Sequence, residues 1–180
     1  MKTYSTIIIG LTIGLFYLLA IHEQRVIENN VKNATVIIVS KSNSQITGKV
    51  EFQERNGKVR MKANISNATP GDHAIHIHEI GDCNSQDGTS AGGHWNPTKE
   101  PHGKWDEESF HRGDIGNIHV NKNGKGSISR ETDLWCIGCD DDQKNILGKA
   151  IIIHQGPDDF SSQPAGAAGA RIGCGEIIEN

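Results

Sequence analysis

The sequence predicts an all-β protein, an antiparallel sandwich or barrel with two long functional loops. Three observations predict it. Short β-branched or alternating runs recur along the chain, separated by turns rich in Gly, Asn and Pro. Glycine supplies 21 of 180 residues and aromatics only 5%, a composition that suits short strands better than a helical bundle. No segment carries a helical period of useful length, and no internal repeat is present. The length fits one ordinary domain. A formal net charge of -4 offers no phosphate-binding surface, so nucleic acid is not expected as a partner.

The chain opens "MKTYSTIIIGLTIGLFYLLAIHEQ". Its apolar run, Ile7 to Ile21, is short and poorly flanked for a membrane span but fits a secretory h-region. Leu18 weakens a cleavage site near Ala20, and an uncleaved N-terminal anchor, tethering the chain to a membrane, is the alternative. No Cys follows the run, which excludes a lipid attached there. Residues 1–22 are therefore expected to be a signal peptide or anchor, residues 23–33 a polar tether, and residues 34–180 an exported domain, periplasmic or extracellular.

The strands follow in order. "ATVIIVS" is a short β-branched run from Ala34. In "QITGKVEFQ", Ile46, Val50 and Phe52 share one parity, and Lys49, Glu51 and Gln53 take the other. In "KVRMKANI", Val59, Met61, Ala63 and Ile65 alternate with Lys58, Arg60, Lys62 and Asn64. The Asn-Gly between these two runs is a strong hairpin signal. Each strand presents one apolar face, so another layer must cover it. After the turn "NATPGD" comes "GDHAIHIHEIGDC", which carries His73, His76 and His78. Residues 81–116 then lack any period, a length that in a compact domain points to a functional or stapled loop. Strand patterns resume at "GNIHV", "SISRET" and "KAIIIHQ". A second irregular stretch, "GPDDFSSQPAGAAGA", leads to the last strand, "RIGCGEIIE".

The histidines carry the chemistry. His76 and His78 are two apart on a strand, so both point to one face, and His73 has the opposite parity. His94 ("SAGGHWNP"), His102 ("KEPHGK"), His111 and Asp114 ("FHRGD"), and His154 ("AIIIHQ") each lie in a glycine-flanked loop or at a strand end. His94, His102, His111 and Asp114 make a plausible tetrahedral zinc set. His76, His78, His94 and His154, four imidazoles without thiolate, suit tetragonal Cu(II). An isolated His-x-His is more often an ordinary surface pair; the other histidines change that balance. The four cysteines, in an oxidising compartment, suggest two disulfides with three connectivities open.

These residues, in this order, resemble the copper,zinc superoxide dismutase family, in its exported, bacterial-type branch. The resemblance spans Ala34 to Ile178 and rests on "HIHEIGD", "AGGHWNP", the His94–His102–His111–Asp114 spacing, "GDIGN", "IIIHQGPDDF" and "GARIGCGEI". It implies a Greek-key β-barrel and an antioxidant enzyme that converts superoxide to dioxygen and hydrogen peroxide by copper redox cycling, with a structural zinc. One copper is expected at His76, His78, His94 and His154. One zinc is expected at His94, His102, His111 and Asp114, with His94 bridging both. The resemblance further makes Asp158 the outer carboxylate holding His76 and His102, and Arg171 the group that docks superoxide beside the copper. It also pairs Cys83 with Cys174. Catalytic roles fall to Arg171 and His94.

Some features fall outside the family pattern. The stretch between His154 and Arg171 looks shorter than in cytosolic members and lacks Lys and Glu, leaving Lys99 and Lys104 as candidates for steering or as plain surface lysines. With Cys83 and Cys174 joined, "LWCIGCDDDQ" reads as a local Cys136–Cys139 disulfide, a copper-acquisition role being the alternative. His119 reads as a strand surface residue. The apolar strand faces leave a homodimer open. The competing function is a metal-binding protein without turnover; the presence of every ligand position and of Arg171 favours the enzyme.

Overall fold

The structure, a computed structural model, describes residues 31–180; the expected signal peptide or anchor and residues 23–30 of the expected tether lie outside the described residues. Among the described residues nine strands follow one another: β1 (Lys32–Ser40), β2 (Thr47–Arg55), β3 (Lys58–Ser66), β4 (Gly71–His78), β5 (Asp114–Val120), β6 (Gly126–Thr132), β7 (Ala150–His154), β8 (Arg171–Glu176) and β9 (Ile178–Glu179). β1 starts ahead of the β-branched run because Lys32 and Asn33 pair with Glu54 and Gln53 of β2.

Neighbours run β2-β3-β6-β5-β4-β7-β8-β1, and β1 returns to β2, which closes an antiparallel barrel. The connections from β3 to β4 and from β6 to β7 each pass over two strands, which gives it Greek-key connectivity. β9 prolongs β8 along β1, with Val39 opposite Cys174 and Ala34 opposite Glu179. The expected hairpin is present: Arg55 pairs with Lys58, and Asn56 and Gly57 both have positive φ (53° and 72°).

The alternation read from β2 and β3 is the burial pattern of the barrel wall. Val50, Phe52, Val59, Met61, Ala63 and Ile65 are each at most 2% exposed, and Lys49, Glu51, Lys58 and Lys62 face solvent. β4 and β7 differ, because both of their faces are covered. Ile75, Ile77, Ile151 and Ile153 fill the barrel, while His76, His78 and His154 lie on the outer face beneath the two long loops.

Two β-bulges sit at this face. In one, Ile75 pairs with Gly116 but His76 with Asp114, so the extra residue, Ile115, turns into the core and Asp114 is delivered beside His76. In the other, Ile153 pairs with Gly173 but His154 with Arg171, which sets Arg171 directly across from His154.

Two disulfides are present. Cys83–Cys174 ties the first long loop to β8 across 91 residues, and Cys136–Cys139 closes a ring of sequence separation 3. The second belongs to a plug: Trp135, Ile137 and Ile146 are buried in the core cluster, and Ile137 N–H donates to Glu54 (2.7 Å). Chain entropy assigns about 4–5 kcal/mol to a ring as long as the first and about 2 kcal/mol to the short one. Double Ser replacement at Cys83/Cys174 is therefore expected to lower the urea midpoint of the metal-free protein about twice as far as at Cys136/Cys139. Equal shifts would give the short disulfide a role beyond chain entropy.

Candidate metal centre

Each histidine is aimed by the bond its other ring nitrogen makes. His78 Nδ1–H donates to Gly92 O (2.9 Å) and His154 Nδ1–H to Gly169 O (3.2 Å). A carbonyl can only accept, so both tautomers are fixed with the Nε2 lone pair facing inward. Asp158 does the same from a carboxylate: Oδ2 takes His76 Nε2–H (2.8 Å) and Oδ1 takes His102 Nε2–H (2.9 Å). Asp158 is itself pinned to β5, its amide donating to Asn117 Oδ1 (2.8 Å) and its carbonyl accepting from Asn117 Nδ2 (3.0 Å).

The nitrogens left over converge. His76 Nδ1, His78 Nε2, His94 Nε2, His102 Nδ1, His111 Nδ1 and His154 Nε2 are buried without any hydrogen-bond partner. A neutral protein interior does not leave such groups bare, since each orphan costs about 1–3 kcal/mol. They fall into two groups whose ligand atoms lie within 4.8 Å of one another: His76, His78, His94 and His154, and then His94, His102, His111 and Asp114. His94 belongs to both, its ring centroid 4.0 Å from that of His76 and 5.6 Å from that of His111. The first group is all imidazole and the second adds one carboxylate, donor sets that fit copper and zinc respectively.

The electrostatics divide the ligands. Burial pushes His94 down to about 4 and His154 to about 3, and it holds His78 well below its usual value, with neighbouring imidazoles adding to the effect. These rings therefore stay neutral, the form a metal requires. His102 goes the other way: burial opposes its charge, but Asp114 and Asp158 outweigh it and raise it to about 9. Burial likewise disfavours the charge of Asp114, and His102, His111 and His94 overcome that and hold its carboxyl far below the usual range. In the zinc group His102 Nδ1 is 3.0 Å and His111 Nδ1 3.3 Å from Asp114 without hydrogen-bond alignment, a packing of donor atoms around a common point.

The loops reach the face by strand-like contacts. His94 forms a bridge with His78, Trp95 N donates to Ile77 O (2.9 Å), and Ile77 N to Gly113 O (2.9 Å). The second loop returns through Gln163, whose side chain both accepts from His102 N and donates to His102 O (2.9 Å each). Gly166, at φ +68°, lies so close that a Cβ there would meet Asp158 Oδ1 at 1.9 Å. Sequence reasoning missed Asn117, Gln163 and Gly166, because their partners lie in distant segments; "GDIGN" and "PAGAAGA" were the only signals.

The remaining expected residues are accounted for. Arg171 is half-buried and donates from Nη1 to Gly88 O (2.9 Å). His73 is buried on the opposite face, with Nδ1 against His154 O (2.8 Å) and Nε2 against Thr69 O (2.8 Å). His119 is exposed and pairs with Asp72 (2.8 Å). Lys99 is exposed, and Lys104 is engaged by Glu107 at 3.1 Å.

Comparison with known proteins agrees with this geometry. Residues 46–177 match the copper/zinc superoxide dismutase family model. Superoxide dismutase Cu-Zn 1 of Aquifex aeolicus is 41% identical over 145 residues, 78% of this chain and 84% of that protein. The extracellular superoxide dismutase of Caenorhabditis elegans is 34% identical over 140 residues, 74% of this chain and 62% of that one. Among solved structures, that of the clock protein EA4 superposes with a TM-score of 0.71 at 30% identity, covering 81% of this chain and 93% of that chain. With two converging donor sets that share one histidine and a family match over most of its length, this chain belongs to the copper/zinc superoxide dismutase family.

Proposed function

We propose that the chain disproportionates superoxide outside the cytoplasm by copper redox cycling, with His76, His78, His94 and His154 holding copper, and His94, His102, His111 and Asp114 holding zinc. The observation that carries this reading is the set of six buried, unpartnered imidazole nitrogens, sorted into two donor groups through His94. Copper, when bound, supplies a one-electron couple that zinc lacks. In the balance two superoxide anions and two protons give dioxygen and hydrogen peroxide.

The chain's own residues supply the rest. Arg171, across the β7–β8 ladder from His154, offers a fixed cation where a small anion docks. His94 is the histidine placed to hold and pass a proton at Nε2, because its Nδ1 lies 2.8 Å from Asp114. Asp158 orients one ligand of each group and so couples their geometry. Export is supported by the apolar leader, by two disulfides and by the extracellular relative.

Three outcomes test the reading. The full chain loaded with copper and zinc should bind one of each and speed superoxide decay in pulse radiolysis, and His154→Ala should lose both copper and decay; full metal occupancy without decay would leave a binding protein. Arg171→Ala should slow decay by about tenfold with metal content intact, since it removes an attracting charge from the docking point; loss of metal would contradict the docking role. Asp158→Asn should weaken zinc retention against a chelator by about 10–100-fold, as expected for a lost outer partner, and unchanged retention would remove Asp158 from the centre.

A further inference from the structure

The turn between β1 and β2 is more than a hairpin. Ser42 and Asn43 both sit at positive φ (51° and 59°) without being glycine, a backbone cost that asks for compensation. Ser44 N donates to Lys41 O (2.9 Å) to close the turn. Several of its polar groups reach away from the turn, to two targets. Toward β8, Ser42 Oγ donates to Arg171 O (2.9 Å), and Lys41 N and Ser44 Oγ both donate to Ile172 O (2.8 and 2.6 Å). Toward the loop that supplies the Arg171 acceptor, Ser42 N donates to Gln86 O (2.9 Å) and Lys41 Nζ donates to Cys83 O.

These contacts close a circuit. Arg171 aims its guanidinium by donating to Gly88 O, and Gly88 belongs to the stretch that Lys41 and Ser42 hold at Cys83 and Gln86. Gly88 is at φ +72°, and a Cβ there would meet Arg171 Cβ at 3.3 Å and Lys41 Cγ at 3.7 Å, so it is pressed between the two cationic stems. The backbone of Arg171 and the stretch that presents its acceptor are thus both held by one turn, alongside the Cys83–Cys174 disulfide.

We propose that Lys41 and Ser42 are positioning residues for Arg171, holding its guanidinium in register with the metal centre. The inference rests on the docking role given to Arg171 above. Lys41 acts through the loop carbonyl at Cys83, and the Arg171→Ala background separates that route from any direct effect of its charge. The Cys83–Cys174 disulfide keeps Cys83 at β8. Loss of this charge-assisted hydrogen bond therefore frees the Cys83 carbonyl and the stretch from there to Gly88 to turn, which loosens the aim of Arg171 without touching a ligand.

The test uses the full chain loaded with copper and zinc, and azide as a small monovalent anion whose affinity is read from the visible absorbance. Lys41→Met is expected to weaken azide binding and slow superoxide decay, each by about fivefold, with copper and zinc content unchanged. Lys41→Arg, which keeps a charged donor, should restore most of both. Ser42→Ala should act in the same direction as Lys41→Met. In an Arg171→Ala background Lys41→Met should have no further effect. Parent-like azide affinity in Lys41→Met, an equal loss in the Arg171→Ala background, or loss of metal would each overturn the inference. If Arg171→Ala itself left azide affinity unchanged, the docking role would fail first, and the two failures are thereby told apart.

Discussion

Buried imidazole nitrogens that no protein group satisfies are the constraint on which the rest of this structure depends. Desolvating them is unfavourable unless a cation takes their lone pairs, so the fold must hold seven donor side chains in one place against their mutual repulsion and cost. The barrel is the platform for that. Its isoleucine-filled interior fixes β4 and β7, and the two bulges then hand Asp114 and Arg171 to the outer face at the points where His76 and His154 emerge. The first loop adds its donors from segments stitched to β4 as extra strand-like edges.

The parts of this arrangement that were legible in the sequence are those with a local period. Alternation in β2 and β3, the Asn-Gly turn and the His76/His78 parity each depend on residues near in sequence, and each is present in the structure. The donor residues were legible as types at glycine-flanked positions, and their donor chemistry sorted them into an all-imidazole set and a set with one carboxylate; the structure brings ligand atoms of these residues within 4.8 Å of one another in two groups. The bulges were not legible. Ile115 and Ile118 differ in parity yet share the core, and only the pairing of His76 with Asp114 explains it. Gln163 and Lys41 were equally silent, since a side chain that serves a carbonyl dozens of residues away leaves no period behind.

The "LWCIGCDDDQ" segment finds its place as a stopper for the barrel, and its contacts lead back to the metal face. Trp135 Nε1–H donates to Arg112 O (2.9 Å), and Arg112 Nη1 returns a bond to Leu134 O (2.9 Å). Arg112 sits between His111 and Gly113, so this reciprocal pair braces the stretch that carries two expected zinc donors. Trp105 of the same loop stacks edge-on with Trp135 at 5.1 Å, which extends the brace through aromatic packing. The short disulfide thus stiffens a plug that is also a support.

The long disulfide has a topological consequence. Cys83 and Cys174 enclose β5, β6 and β7 in a covalent ring, and His94, His102, His111, Asp114 and His154 all lie inside it. A protease that cuts an exposed tip within this ring, such as the Asn121–Gly124 turn, opens a loop but releases no fragment. The nicked chain remains one molecule with its donors still attached to β4 and β8. In a compartment with abundant proteases, a single cut would then change the gel pattern of the reduced protein and leave the oxidised one intact.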